Sequence, residues 1–168
     1  MVAKTFGSAV SGVDANLITI EVNVGQGTNF FMVGLPDSAV KESQQRVESA
    51  LKYFGYRMPR QRVVVNLAPA DLRKEGSAYD LPIAMGILQA SEQVSFPNLH
   101  DYVLMGELSL DGKLRPIKGV LPIAIEARKR GFKGFILPLE NAKEASIVNS
   151  LDIIGVETLD QASDFLQG

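Results

Sequence analysis

The spacing of apolar residues changes early in this chain, and that change restricts the folds open to it. Residues 16–24 alternate apolar and polar side chains, which predicts a half-buried strand. A glycine-containing turn then leads to a second apolar run at residues 30–33. With residues 2–10 before them, these runs predict three antiparallel strands at the start of the chain.

The next segment has a helical period. Val40, Val47 and Leu51 fall on one helical face, so residues 37–54 are predicted to form a helix. Asp37 or Ser38 is expected to cap its free amides, and Gly55 is placed to end it. A chain that combines both periods must fold into a mixed α/β structure.

Short apolar runs and helical segments alternate through the rest of the sequence. Strands are predicted at residues 62–67, 102–108, 113–117, 134–137 and 152–156, and helices at residues 80–93, 120–130, 141–149 and 159–166. The pair Asp111 and Gly112 favours a tight hairpin turn, because glycine accepts a positive φ without steric cost. No repeat or linker interrupts the order, so the 168 residues predict a single domain.

Composition bears on location and stability. No run of eighteen apolar residues occurs, and Gly7 and Ser8 interrupt the amino terminus before a signal sequence can form, so we expect a cytoplasmic protein without a membrane segment. Cysteine is absent, which excludes disulfides and thiolate chemistry. The last predicted helix ends at the final residues, as in a domain taken from a longer chain.

Motifs for catalysis are scarce in the sequence. The single histidine, His100, lies in a predicted surface loop, and we assign it no role. Neither a phosphate-binding loop nor a dinucleotide fingerprint is present, so no cofactor is expected in this chain. A serine and lysine dyad remains the only nucleophilic arrangement to test.

Two sequence blocks resemble parts of the Lon-type peptidase fold. They are KEGSAYDL at residues 74–81 and GELSLDGKLRPIKGV at residues 106–120, and the likeness continues in FILP at residues 135–138 and at residues 140–141. The resemblance implies an α/β (α+β) domain of the two-layer, ribosomal-protein-like type, with helices packed on mixed sheets.

The same resemblance identifies the positions of the catalytic pair. In Lon-type peptidases the first block holds the nucleophilic serine, and the second is followed by the lysine that activates it. In this register the two positions fall on Ala78 and Leu121, which can neither attack a carbonyl nor accept a proton. Ser77 and Lys118 lie nearby, but a dyad built from them would need shifts of one and three residues. The resemblance therefore implies a Lon-like fold without its catalytic groups.

A more specific resemblance covers nearly the whole chain and is to the ComM/YifB group of magnesium-chelatase-like AAA+ proteins. The matching blocks are VGLPD, VKES and RV in residues 33–47, VNLAPAD at 65–71, KEG at 74–76, YDLPIA at 79–84 and GEL at 106–108. In that group this domain precedes an AAA+ ATPase module, and the competence members are linked to DNA branch migration.

The resemblance implies a non-catalytic accessory domain of a hexameric DNA motor. ATP and magnesium are then expected only in the ATPase module, which this sequence lacks, and the homo-hexamer only in the longer protein. Two alternatives stay open: a free-standing Lon-like hydrolase, and a regulatory module related to magnesium chelatase. The sequence shows nothing that resembles a tetrapyrrole pocket with an axial ligand.

Basic residues are concentrated in one part of the chain. Between residues 41 and 74 the chain has eight lysines and arginines against three acids, whereas from residue 139 onward it has six acids against one lysine. We predict a nucleic-acid-binding surface formed by the basic residues Arg57, Arg60, Arg62, Arg73, Lys74, Lys41 and Lys52, with Tyr53 or Tyr56 stacking on a base. The alternative is a solvated loop whose arginines cap the preceding helix or pair with the acidic carboxyl-terminal third.

Overall fold

A computed structural model describes residues 1–74 and 76–168. The strands are β1 (Val2–Ser11), β2 (Asp14–Gly25), β3 (Phe30–Val33), β4 (Arg62–Ala68), β5 (Tyr102–Leu104), β6 (Glu107–Leu108), β7 (Leu114–Arg115), β8 (Gly134–Pro138) and β9 (Asp152–Val156). The α-helices are α1 (Asp37–Tyr53), α2 (Asp80–Ala90), α3 (Val120–Lys129), α4 (Leu139–Ala145) and α5 (Leu159–Gln167). None of these helices has the length and apolar character needed to cross a membrane.

Seven strands form one mixed sheet in the order β3-β4-β2-β1-β5-β8-β9. The pairs β1–β2 and β2–β4 are antiparallel, and the other neighbours are parallel. Strands β6 and β7 form a separate hairpin, closed by the predicted turn in which Gly112 has a φ of 80°. The predicted α/β fold with mixed sheets and packed helices is confirmed.

The apolar alternation in β2 explains why the sheet has a buried face. Ile18, Ile20 and Val22 are fully buried, whereas the residues between them lie on the opposite face. On the neighbouring strand β1, the buried Thr5 is paired with Ile20, and its hydroxyl donates a hydrogen bond to the Pro82 carbonyl of α2. Helix α2 therefore packs on this face of the sheet, where it is buried along almost its whole length.

The predicted antiparallel placement of residues 30–33 is wrong. Strand β3 pairs in parallel with β4, so β4 lies between β3 and β2. Helix α1 connects β3 to β4, and a helical crossover of this kind joins parallel neighbours. The pattern predicted β1, β2 and β3 but not the partner of β3, because alternation does not specify which strand will be adjacent.

Helices cover both faces of part of the sheet. Val10 of β1 lies against Gly119 at the start of α3, and Phe6 makes an edge-to-face contact with Phe132 beyond its end. Both residues are on the face of β1 opposite Thr5. The two-layer prediction therefore holds near β3 and β4, while α3 adds a third layer over the middle of the sheet.

Several predicted boundaries change in the structure. Pro36, not Asp37 or Ser38, is the N-cap of α1, and no described side chain caps its amides. Helix α2 ends at Ala90 instead of residue 93, because Glu92 adopts a positive φ of 62°. The predicted helix at residues 141–149 corresponds to the shorter α4, which begins at Leu139.

The strand predicted at residues 102–108 is divided in two. The amide of Met105 still donates to Ile136 of β8, but the amide of Gly106 donates to the Ala78 carbonyl. The Leu81 amide in turn donates to the Gly106 carbonyl. Through these two hydrogen bonds of Gly106, the chain leaves the large sheet and continues into the β6–β7 hairpin. The hairpin therefore lies beside the start of α2.

Candidate functional site

The two Lon-like blocks meet in one surface cleft of about 540 Å³. The loop before α2 contributes Ser77 and Ala78, β6 contributes Glu107, and the loop before α3 contributes Lys118. Leu121 is in the first turn of α3 and packs partly buried against the core. Ala78 therefore lines this cleft, whereas Leu121, the position that the resemblance assigns to the lysine, follows the cleft residue Gly119 by two positions.

The polar groups of this cleft are not arranged as a serine–lysine dyad. The Ser77 hydroxyl donates a hydrogen bond to Oε1 of Glu107, and Oε2 of the same carboxylate lies 3.5 Å from Nε of Arg115. Lys118 is exposed, and among residues 1–74 and 76–168 no hydrogen bond joins it to Ser77. The Ser77 hydroxyl is thus bonded to a carboxylate that also pairs with an arginine.

A buried ion pair between Arg46 and Asp80 joins three elements. Asp80, at the start of α2, accepts hydrogen bonds from Nε of Arg46 at 2.6 Å and from its terminal nitrogen at 3.1 Å. Asp80 also accepts hydrogen bonds from the Ser43 hydroxyl at 2.8 Å and from the Leu108 amide at 3.0 Å. Helix α1, helix α2 and the β6–β7 hairpin are therefore held together by one carboxylate, whose side chain is 1% exposed.

Burial and hydrogen bonding oppose each other at Asp80. Burial raises the pKa of the carboxyl, and the hydrogen bonds from Arg46, Leu108 and Ser43 reduce that rise without cancelling it. The hydrogen bond to Asp80 raises the pKa of Arg46. Sequence patterns did not reveal this network because the partners are far apart in the chain. The one available signal was a charged residue at the start of an otherwise apolar helix.

Lys74 is not part of an exposed basic surface, so this part of the prediction is wrong. Its side chain is buried, with 4% relative exposure, and its ammonium group donates to the carbonyls of Pro69 at 2.6 Å and Leu72 at 2.7 Å. Burial lowers its pKa. The sequence shows the charge of Lys74, but its position depends on how the loop after β4 folds back.

Three of the predicted basic residues line a single groove. Lys52, Arg57 and Arg60 surround a surface groove of about 670 Å³ together with Glu48. Lys52 forms an ion pair with Glu48 at 3.5 Å, one helical turn away. The backbone of Arg57 is fixed, because its amide donates to Gln93 and its carbonyl accepts from the same side chain, at 3.0 and 2.8 Å.

The other basic residues lie at different places on the surface. Lys41 precedes Lys52 by three turns of α1, so the two side chains share one exposed face of that helix, about 16 Å apart along its axis. Arg62 begins β4, and its guanidinium lies over the ring of Phe31, 5.1 Å from the centroid. Arg73 lines a separate cleft next to Pro36, at the opposite end of α1 from the groove.

The two tyrosines of the predicted surface have different environments. Tyr53 ends α1 and is 65% exposed. Tyr56 is partly buried, and its hydroxyl lies 3.1 Å from the Ser163 hydroxyl of α5. Tyr53 is thus the more exposed of the two tyrosines.

Acidic and histidine side chains do not gather into a metal site in the parts of the chain that are described, residues 1–74 and 76–168. His100 is on the surface, with Nε2 3.3 Å from Asp101. The polar features with a defined geometry are therefore the Ser77 cleft, the Asp80 network and the basic groove.

Comparison with known proteins agrees with the fold. A family model described as subunit ChlI of Mg-chelatase matches residues 20–141, which is most of the chain. The chain therefore belongs to the ChlI family of magnesium-chelatase-like proteins.

The similarity to individual relatives is more specific. Competence protein ComM of Haemophilus influenzae is 44% identical over 167 residues, which cover 99% of this chain and 33% of that protein. YifB of Escherichia coli is 44% identical over 161 residues, covering 95% of this chain and 32% of that protein. The predicted ComM/YifB membership is confirmed, and the chain spans about a third of the length of these relatives.

A more distant relative supports the Lon-like fold. Lon protease 2 of Bacillus subtilis is 28% identical over 128 residues, which cover 76% of this chain and 23% of that protein. The blocks that suggested the Lon resemblance are thus part of a wider similarity, although the two positions that this resemblance assigns to the catalytic pair hold Ala78 and Leu121.

Proposed function

We propose that this chain is a non-catalytic accessory domain of a ComM-like ATPase and that it guides DNA by contacting phosphates. The observation that carries the proposal is the groove in which Lys52, Arg57 and Arg60 converge around an open surface. Phosphate contacts from lysine and arginine supply affinity that is independent of sequence, which is what a motor moving along DNA requires.

The electrostatic surroundings of the groove favour a ligand over an internal role for its arginines. Among residues 1–74 and 76–168, no ion pair joins Arg57 or Arg60 to the acids of the carboxyl-terminal third. Gln93 holds the backbone of Arg57 in place. The binding of a ligand therefore does not have to order this part of the loop. A loop whose backbone is already ordered loses less conformational entropy on binding than a mobile loop does.

The remaining features of the proposal concern a longer protein. We infer that ATP and magnesium act in an AAA+ module outside this chain, and that any homo-hexamer depends on that module. The name of the Haemophilus relative, a competence protein, points to DNA processing as the setting. We take membership in the ChlI family to indicate common ancestry and not magnesium insertion.

Changing Lys52, Arg57 and Arg60 together to alanine should weaken DNA binding at 50 mM salt by about tenfold for each phosphate that is no longer neutralised. The slope of log affinity against log salt should fall in magnitude by about 0.9 per phosphate on duplex DNA, because fewer counterions are released. Fluorescence anisotropy at several salt concentrations, with two unrelated duplex sequences, measures both quantities. The weakening should be equal for the two sequences.

The matched control removes the same charge from another surface. Arg128, Lys129 and Lys133 are all exposed at the end of α3 and beyond it, so their triple change to alanine alters net charge equally. We expect this variant to retain most of the affinity and slope. Equal losses of affinity in the two triple variants would mean that binding depends on net charge and not on the groove. That result would overturn the proposal.

Hydrolysis is the second candidate function, because Ser77 and Lys118 line the same cleft. We expect no turnover of casein or of a fluorogenic peptide, since the Ser77 hydroxyl is bonded to Glu107 and, among the residues that the structure describes, not to Lys118. The assay compares the wild-type chain with Ser77→Ala. Turnover that disappears in the variant would establish the Lon-like hydrolase instead.

A further inference from the structure

An exposed aromatic residue ends α1 directly after a lysine that lines the basic groove. Tyr53 immediately follows Lys52 in the last turn of α1, and both side chains are largely exposed. Successive residues of an α-helix point about 100° apart. Lys52 and Tyr53 therefore lie on the two sides of one exposed ridge, which runs along the solvent-facing side of α1. A ligand that crosses this ridge from the groove therefore meets a cation first and an aromatic ring next.

The ring of Tyr53 is supported from one side. It makes an edge-to-face contact with Phe54, with centroids 5.2 Å apart and an angle of 81° between the rings. Phe54 is itself packed against the core. It also lies close to the hairpin turn, because a Cβ added to Gly112 would meet the Phe54 ring. The support restricts the motion of Tyr53 while leaving 65% of the residue open to solvent.

We propose that Tyr53 stacks on an unpaired base of single-stranded nucleic acid whose phosphates lie along Lys52, Arg57 and Arg60. This inference rests on the proposed phosphate contacts and names the form of nucleic acid that they hold. Every base has a π face, so such a contact adds affinity without reading sequence. In a duplex the same faces are already stacked, so the domain binds single strands in preference to paired ones.

The charges around the ring favour this ligand over a protein surface. A protein docking on Tyr53 would also cover the neighbouring cations of the groove, and covering a charge without a partner is costly. A polynucleotide provides a phosphate for each cation and a base for the ring. Tyr56 is partly buried and its hydroxyl is bonded to Ser163, so Tyr53 is the more accessible of the two tyrosines.

The test separates stacking from charge by changing the ligand. Binding of an oligothymidylate is compared with binding of an abasic strand of the same length and of a duplex, each at several salt concentrations. The wild-type chain should bind the thymidylate about tenfold or more tightly than the abasic strand. Tyr53→Ala should remove that difference and leave the salt slope unchanged, whereas Tyr53→Phe should keep both.

The matched control is Tyr56→Phe, which removes a hydroxyl without touching the proposed stacking ring and should preserve the preference for bases. Equal wild-type binding of thymidylate and abasic strands would overturn the stacking proposal, while a steep salt slope in the same data would leave the phosphate contacts standing. A flat slope for every ligand would instead defeat the proposed function itself. A loss of preference in Tyr53→Phe equal to that in Tyr53→Ala would assign the effect to the hydroxyl and also overturn the proposal.

Discussion

Replacing Arg46 with alanine is expected to lower the free energy of unfolding by about 3–5 kcal/mol at pH 7, because the change leaves a buried carboxylate without its partner. The Asp80 side chain is 1% exposed and that of Arg46 is 22% exposed, so water cannot replace the missing hydrogen bonds at the carboxylate without opening the structure. The contact between α1 and the β6–β7 hairpin should loosen as well, since both meet at Asp80.

The size of this destabilisation should depend on pH. Burial already raises the pKa of Asp80, and removing Arg46 takes away the largest opposing influence, so the folded-state pKa rises further. A raised pKa means that the native state binds the proton more tightly than the unfolded chain does. The stability that this provides is present below the unfolded value of about 4 and is lost as pH rises through the folded-state pKa. The deficit relative to wild type should therefore shrink between pH 7 and pH 5.

Urea unfolding of the wild type and the variant at both pH values measures this effect. Arg130→Ala serves as a control, because it breaks an ion pair with Glu126 at 2.9 Å in which the arginine side chain is 51% exposed. Its cost should be about 1 kcal/mol or less and independent of pH in this range. Adding Asp80→Asn to Arg46→Ala should abolish the pH dependence. A deficit that grows toward pH 5 would contradict the assignment to Asp80.

Gly34→Ala is expected to destabilise the protein by about 3 kcal/mol, from backbone strain and overpacking together. Gly34 has a φ of 106°, and an added Cβ would lie 2.5 Å from the Leu67 carbonyl oxygen and 3.2 Å from Cε of Lys74. Because the Leu67 oxygen belongs to the neighbouring strand β4, the backbone of one strand would have to move. The buried lysine would move with it.

Gly12→Ala separates the two contributions to that cost. Gly12 also has a positive φ, 61°, but an added Cβ would find no atom within 4 Å. We expect this control to be destabilised by about 1 kcal/mol, from backbone strain alone. Thermal and urea unfolding compare the two variants with wild type. Equal destabilisation would mean that the close approach of Gly34 to β4 contributes nothing.

Local pattern was sufficient for most elements of this fold. The alternation of β2 and the helical period of α1 are each produced by one buried face, and a buried face leaves the same periodic pattern whatever covers it. The pairing of β3 is not coded in this way. It depends on a crossover through α1, whose direction is set only when the helix packs on the sheet.

The site was less predictable because charge in a sequence does not indicate exposure. Arg57 and Arg60 belong to one loop and stay together, but Arg62 begins a strand, and its side chain is directed to Phe31 on the sheet. Lys74 is buried by two carbonyl contacts that form only in the folded loop. The Arg46–Asp80 pair links residues that are 34 positions apart, and no local period relates them.

The central position of β1 affects the order in which this chain can fold. Strand β1 is formed by the first residues, and it lies between β2 and β5 in the middle of the sheet. Its Phe6 is paired with Val103, so a ribosome must make roughly a hundred residues before that edge of β1 can be covered. Until then the hairpin of β1 and β2 exposes an unpaired edge to other chains, and such edges promote association. Contacts this distant in sequence also favour slow folding, and β1 is made long before β5 can enclose it.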